Sequence, residues 1–263
     1  MNNSSPAALH AHREAYTLLL ADTCLILSQR NSEWCGHGPI LEQDIALTNI
    51  ALDTLGQARN FYQHAASLIN QRNGNNAATE DTLAYMRNER EFRNLLLTEV
   101  PNGDWAQTVL RQLLFSVYQQ YLFEQLQHSK DEQLAAIATK ALKEVAYHVR
   151  WCGEWVIRLG DGTQESHSRM LNAIETLWPY TGEMFIPAED ETVLANAGIA
   201  ANLHLVQQQW QQKVSAIFEE ATLPIPENVF MQSGGKKGVH TEHMGYLLAE
   251  MQYLQRTYPG AEW

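Results

Sequence analysis

Apolar residues recur at intervals of three and four along almost the whole chain, the period of amphipathic helices, and no segment keeps up the alternation of a strand. The pattern predicts a first long helix over residues 9–30, broken by Glu33-Trp34-Cys35-Gly36-His37-Gly38-Pro39. A second covers 41–71 and closes at Asn73-Gly74-Asn75-Asn76. Two short helical pieces fill 79–98. Pro101-Asn102-Gly103-Asp104 is a turn whose Asp104 suits the N-cap of a third long helix, 105–129. Asp131 caps a fourth, which runs to 159 and stops at Gly160-Asp161-Gly162. Shorter helices follow at 166–181, 189–197 and 201–221, until Pro224 and Pro226 end the pattern. Gly234-Gly235-Lys236-Lys237-Gly238 reads as a loop, and 240–256 as a final amphipathic helix.

Helices one and two, then three and four, form two antiparallel hairpins joined by a crossover at 79–98. One long crossover is the connectivity of a ferritin-like four-helix bundle. With no internal repeat, low-complexity tract or linker in view, the expectation is a single all-α domain over 1–263. Its core is a ferritin-like four-helix bundle carrying additional shorter helices.

Three of these apolar stretches hold an acid: Asp22 among Leu18-Leu19-Leu20-Ala21 and Thr23-Cys24-Leu25-Ile26, Asp53 in Ile50-Ala51-Leu52-Asp53-Thr54-Leu55, and Glu144 in Ala141-Leu142-Lys143-Glu144-Val145. Inward acids on several long helices are the frame of a carboxylate-bridged di-metal site, which also needs Glu-x-x-His on two helices. That spacing puts carboxylate and imidazole on one face, aimed at one ion. No Asp or Glu in this chain is followed three residues later by His. Gly56 follows Asp53 at that distance and Tyr147 follows Glu144; the inward positions of the third helix around 115–122 carry no acid. The pattern is that of a di-metal scaffold stripped of its iron chemistry, with an active di-iron oxygenase or oxidase using atypical ligands as the alternative. A buried carboxylate must be held by hydrogen bonds or a cation. Asp22, Asp53, Glu144 and His148, the last one turn beyond Glu144, are therefore expected to gather in the bundle interior as a vestigial polar cluster where the metal would stand. Gly56 is expected to allow close helix contact.

Two further stretches carry candidate chemistry. Lys236 and Lys237 in their glycine-rich loop read either as a surface turn or as a contact for a partner or a CoA phosphate. His240-Thr241-Glu242-His243 lacks the His-Glu-x-x-His zinc spacing and reads as a helix N-terminus with its own hydrogen bonds. There is no Walker loop, no Gly-x-Gly-x-x-Gly and no Gly-x-Ser-x-Gly.

Bulk charge narrows the partners. With 18 basic and 30 acidic residues the net charge is −12, which argues against nucleic acid or an anionic membrane as the main partner. No apolar run approaches the roughly 18–20 residues that span a bilayer, and Met1-Asn2-Asn3-Ser4-Ser5-Pro6 has no secretory pattern. Cys24, Cys35 and Cys152 fit free thiols in a reducing compartment, hence a cytoplasmic protein.

Long runs in this chain resemble one family. They are Leu27-Ser28-Gln29-Arg30 with Glu33-Trp34-Cys35-Gly36-His37, Leu52-Asp53-Thr54-Leu55-Gly56-Gln57-Ala58-Arg59-Asn60-Phe61, Asn94-Leu95-Leu96-Leu97 with Pro101-Asn102-Gly103, Lys143-Glu144-Val145-Ala146-Tyr147-His148, and Gly234 through His243 on to Ala249-Glu250-Met251-Gln252-Tyr253-Leu254-Gln255-Arg256. From about Tyr16 to Trp263 the chain is similar to the C-subunit family of bacterial phenylacetyl-CoA 1,2-epoxidases; residues 1–12 extend beyond the match. The resemblance implies a non-catalytic ferritin-like subunit, with no cofactor of its own. It implies pairing with, and support of, a related A subunit that holds the di-iron centre. Further subunits bridge the complex and deliver electrons from NADPH through flavin and an iron–sulfur cluster. The complex epoxidises the ring of phenylacetyl-CoA in aerobic phenylacetate breakdown. The family supplies no catalytic residue to carry over.

Overall fold

A computed structural model describes residues 6–261. The stretch Met1 to Ser5, read above as carrying no secretory signal, lies outside the described residues, as does the end of the chain at Glu262 and Trp263. Among the described residues there are nine α-helices and no strand: α1 Pro6–Ser32, α2 Leu41–Asn73, α3 Glu80–Tyr85, α4 Trp105–Leu126, α5 Glu132–Gly160, α6 Gln164–Leu177, α7 Glu189–Ala197, α8 Leu203–Glu220 and α9 His243–Thr257.

The ends follow local chemistry. Asp104 accepts from the Gln107 amide at 3.0 Å and starts α4. Asp131 accepts from the Gln133 and Leu134 amides and starts α5. Gly74, at φ 66°, closes α2 in the left-handed region that only glycine enters freely. The expected α4 tail over 127–129 is instead a turn. There the Gln127 amide already bonds to two carbonyls, those of Phe123 and Gln125.

Helices α1 with α2 and α4 with α5 form the two principal hairpins, and α2 also lies along α5. This is the helical arrangement of a ferritin-like bundle. Helices α6 and α8 lie against α4, and α7 lies against α1. The crossover holds one helix, α3, and two 3-10 turns, Glu89–Glu91 and Leu96–Thr98. Its Phe92, Leu95 and Leu97 are buried with Tyr16, Leu27, Phe61 and Phe115 in one continuous apolar core, so it is part of the interior and not an outer loop.

Among the described residues no helix is long and apolar enough to cross a membrane. Cys24 and Cys152 are buried free thiols and Cys35 is an exposed one.

Candidate functional site

Four side-chain rungs cross between α2 and α5, and their numbering runs oppositely on the two helices. Trp155 Nε1 donates to Gln43 Oε1 at 2.8 Å. His148 Nε2 lies 3.0 Å from Asp53 Oδ2. Gln57 Nε2 donates to Glu144 Oε2 at 2.9 Å. His64 Nε2 lies 3.1 Å from Asp131 Oδ2, which also takes two bonds from Arg13. Steps of roughly one to four helical turns separate these groups on each helix and put them on facing sides of an antiparallel pair.

The rung of Gln57 and Glu144 continues inward. Gln119 of α4 donates through Nε2 to Gln57 Oε1 at 2.9 Å, and the same nitrogen lies 3.5 Å from Cys24 Sγ. A polar line thus runs from Glu144 through two amides to a thiol whose pKa burial pushes up to about 12. Gln57 and Gln119 are buried, whereas Glu144 is half-buried and the Asp53 side chain is 35% exposed.

Asp22 is elsewhere. Its side chain is fully buried and both oxygens are occupied. Tyr62 Oη donates at 2.6 Å, the Arg93 amide at 2.8 Å, and Arg87 engages both oxygens, with Nη1 at 3.1 Å from Oδ2. Arg87 also stacks on the Phe92 ring, 4.2 Å from its centre. Burial alone would lower the arginine pKa, but the charges and hydrogen bonds of Asp22 and Tyr62 together outweigh it and hold the guanidinium above its ordinary value. The expected four-residue cluster is therefore two separate arrangements: Asp53, Glu144 and His148 come together with Gln57, and Asp22 joins the crossover.

The lysine loop also departs from expectation. Lys236 is buried: its ammonium lies 2.8 Å from Glu191 Oε2 and donates to the Ile186 carbonyl at 3.0 Å. Its charge is consumed inside the protein, so a surface contact with a partner or a phosphate falls to Lys237 alone, which is exposed. The segment from Gly234 to Thr241 is tied down by three acids. Glu183 accepts from the Gly234 amide at 2.6 Å and the Leu96 amide at 2.9 Å. Glu191 holds Lys236. Glu99 accepts from the Thr241 amide and hydroxyl, both at 2.7 Å, and from Asn94, and lies 2.6 Å from His240 Nδ1. Capture of His240 and Thr241 by Glu99 is why α9 begins at His243 and not at His240. Gly235 sits against the Asn94 carbonyl, where a Cβ would collide.

Sequence reasoning missed both amides. The third helix indeed lacks an acid at 115–122, but Gln112, Ser116 and Gln119 are spaced i, i+4, i+7 and all are buried. That period is a polar stripe inside an apolar helix. Gln112 accepts from Asn31 at 2.7 Å and donates to Ser116 at 2.9 Å. Gly56 does not bring helices of this chain together: it is exposed, and a Cβ there would meet no atom within 4 Å.

The donor set does not fit a carboxylate-bridged di-iron centre. Asp53 Oδ2 and His148 Nε2 are engaged with each other, and the interior positions beside them hold amides, which are weak ligands for iron. Both oxygens of Asp22 are committed to Arg87, Tyr62 and the Arg93 amide. Among the described residues no three His, Cys, Asp or Glu side chains converge as metal ligands.

Comparison with known proteins bears on this arrangement directly. A family model described as phenylacetic acid catabolic protein matches residues 1–263. An Escherichia coli K12 protein, named as the C subunit of 1,2-phenylacetyl-CoA epoxidase, is 50% identical over 249 residues, covering 95% of this chain and 98% of that protein.

Proposed function

This chain belongs to the phenylacetic acid catabolic protein family, and on that premise we propose that it is a non-catalytic subunit of a phenylacetyl-CoA-epoxidising complex in aerobic phenylacetate degradation. It docks on a homologous catalytic subunit that holds the di-iron centre and keeps that subunit in its active form. A reductase with flavin and an iron–sulfur cluster supplies the electrons, and the assembly works in the cytoplasm. The continuous apolar core, which reaches from Tyr16 to Leu248, supports treating the chain as a single domain.

The observation that carries this reading is the amide line. Where a di-iron bundle presents converging carboxylates and imidazoles, this chain presents Gln57 and Gln119 bonded to each other. Such a site can be rigid without binding a redox metal. The remaining acids, Asp53 and Glu144, each already have a partner in hydrogen-bond range.

The test is to co-express the chain with the catalytic subunit, purify each alone and together, and measure iron and epoxidation. The expected result is iron in the catalytic subunit and none bound stoichiometrically by this chain, with epoxidation only from the pair and its reductase. About two irons in this chain, or a catalytic subunit fully active and soluble without it, would end the proposal.

A further inference from the structure

One face of α2 is built for a contact that the fold itself does not make. Leu41, Ile45, Leu52 and Leu55 are 72, 52, 59 and 43% exposed. With Thr48 they are spaced 4, 3, 4 and 3 residues apart, the seam of a coiled coil. Scattered surface leucines need no explanation, but these lie on one line about 21 Å long. The opposite face of the same helix, with Leu47, Ile50, Ala51, Ala58 and Phe61, is buried in the core. A helix apolar on two opposite faces belongs in an interior, and here the second interior has to come from outside the chain. Gly56 borders the seam with open space above it, so a second backbone can approach there.

The neighbouring helix adds charge. Along α5, Lys140, Lys143 and Arg150 lie on the outer side, and none makes an ion pair among the described residues. Unpaired cations in a chain of net charge −12 favour an acidic partner and disfavour a second copy, which would bring the same cations. Helices α2 and α5 side by side present roughly 30 by 20 Å, on the order of 600 Å² before curvature, close to one side of a standard interface.

We infer that the α2–α5 face is the docking surface, and that its occupant is a helix of the catalytic subunit with its own apolar seam, flanked by acidic residues. This rests on the subunit role proposed above and names the surface that role uses.

The experiment compares three full-length chains for binding to the purified catalytic subunit: the parent, a Leu52→Glu/Leu55→Glu variant, and a Tyr246→Glu/Tyr253→Glu variant. The last alters the exposed aromatic side of α9 and serves as a control. All four positions are exposed, so circular dichroism and melting should match the parent. The expected result is binding weakened at least about 30-fold by the α2 changes and by no more than about 3-fold by the α9 changes. A Lys140→Glu/Lys143→Glu/Arg150→Glu variant should slow association and flatten its dependence on salt. If the α2 variant binds like the parent, the surface is wrong and the subunit role stands. If the parent does not bind, both fall. If the parent alone dimerises and the α2 changes break that dimer, the face is a self-interface and the assigned partner is wrong.

Discussion

Asp22 and Asp53 look alike in sequence, each a lone acid inside an apolar helical run, yet the fold treats them in opposite ways. Asp22 is sealed, held by a guanidinium, a phenol and a backbone amide. Asp53 is 35% exposed and has one imidazole beside it. The difference is not in the flanking residues. It comes from the crossover, which threads Arg87 and Arg93 to the Asp22 side of the bundle and leaves the α2–α5 side open. An inward acid therefore reports that something must compensate it, not what does. The sealed side works as a structural lock, and the open side keeps polar groups near the surface proposed for docking.

The sharpest way to break this comparison is Arg87→Ala. It leaves a buried, uncompensated carboxylate, and we expect a loss of about 3–5 kcal/mol in urea unfolding. The Asp22→Leu/Arg87→Met double substitution should cost less than the sum of its singles, since neither charge is then stranded. Additive losses would mean the two residues act independently.

Lys236→Ala should come next, at about 3 kcal/mol, because Glu191 is nearly as enclosed as Asp22. A cost near zero would return Lys236 to the surface role first expected of its loop.

The third test uses pH. Burial lowers the His240 pKa, but the bond and charge of Glu99 outweigh it, and the folded value is raised. A raised imidazole pKa stabilises fully below the unfolded value of about 6.5 and loses that contribution as pH climbs through the folded value. Stability should therefore fall as pH rises from about 6.5, and His240→Gln should flatten that slope. A slope unchanged in the variant would place the titration elsewhere.

The smallest effect belongs to the open side. Asp53→Ala removes one hydrogen bond from a part-exposed carboxylate but leaves the buried His148 Nε2 without that partner, a loss of about 1–2 kcal/mol. A loss of about 3 kcal/mol, the scale of a broken buried pair, would show that Asp53 is as locked as Asp22 and would erase the contrast.

Much of the fold was legible because it depends on near neighbours in sequence. The long helices appear within a few residues of their predicted ends, and Asp104 and Asp131 cap where their spacing says they should. The site was legible only in part. Asp53, Glu144 and His148 follow from helical period on α2 and α5. Gln57 and Gln119 were less legible because a neutral amide, unlike an acid, carries no charge that burial forces to be compensated, though the spacing of Gln112, Ser116 and Gln119 carried the signal. The fate of Lys236 could not be read at all, since a Gly-Gly-Lys-Lys-Gly run looks like a solvated turn until Glu191 is placed beside it.

By itself the sequence determined the helical period, the caps, the crossover connectivity and the lack of any acid spaced for a helical iron ligand pair. These are local properties, set by side chains within one or two turns. Only the tertiary structure decided which charge meets which: Arg87 with Asp22 across 65 residues, Lys236 with Glu191 across 45, and His240 with Glu99 across 141. A buried charge is stable only beside its complement, and which complement arrives depends on how distant segments dock, which no local pattern encodes.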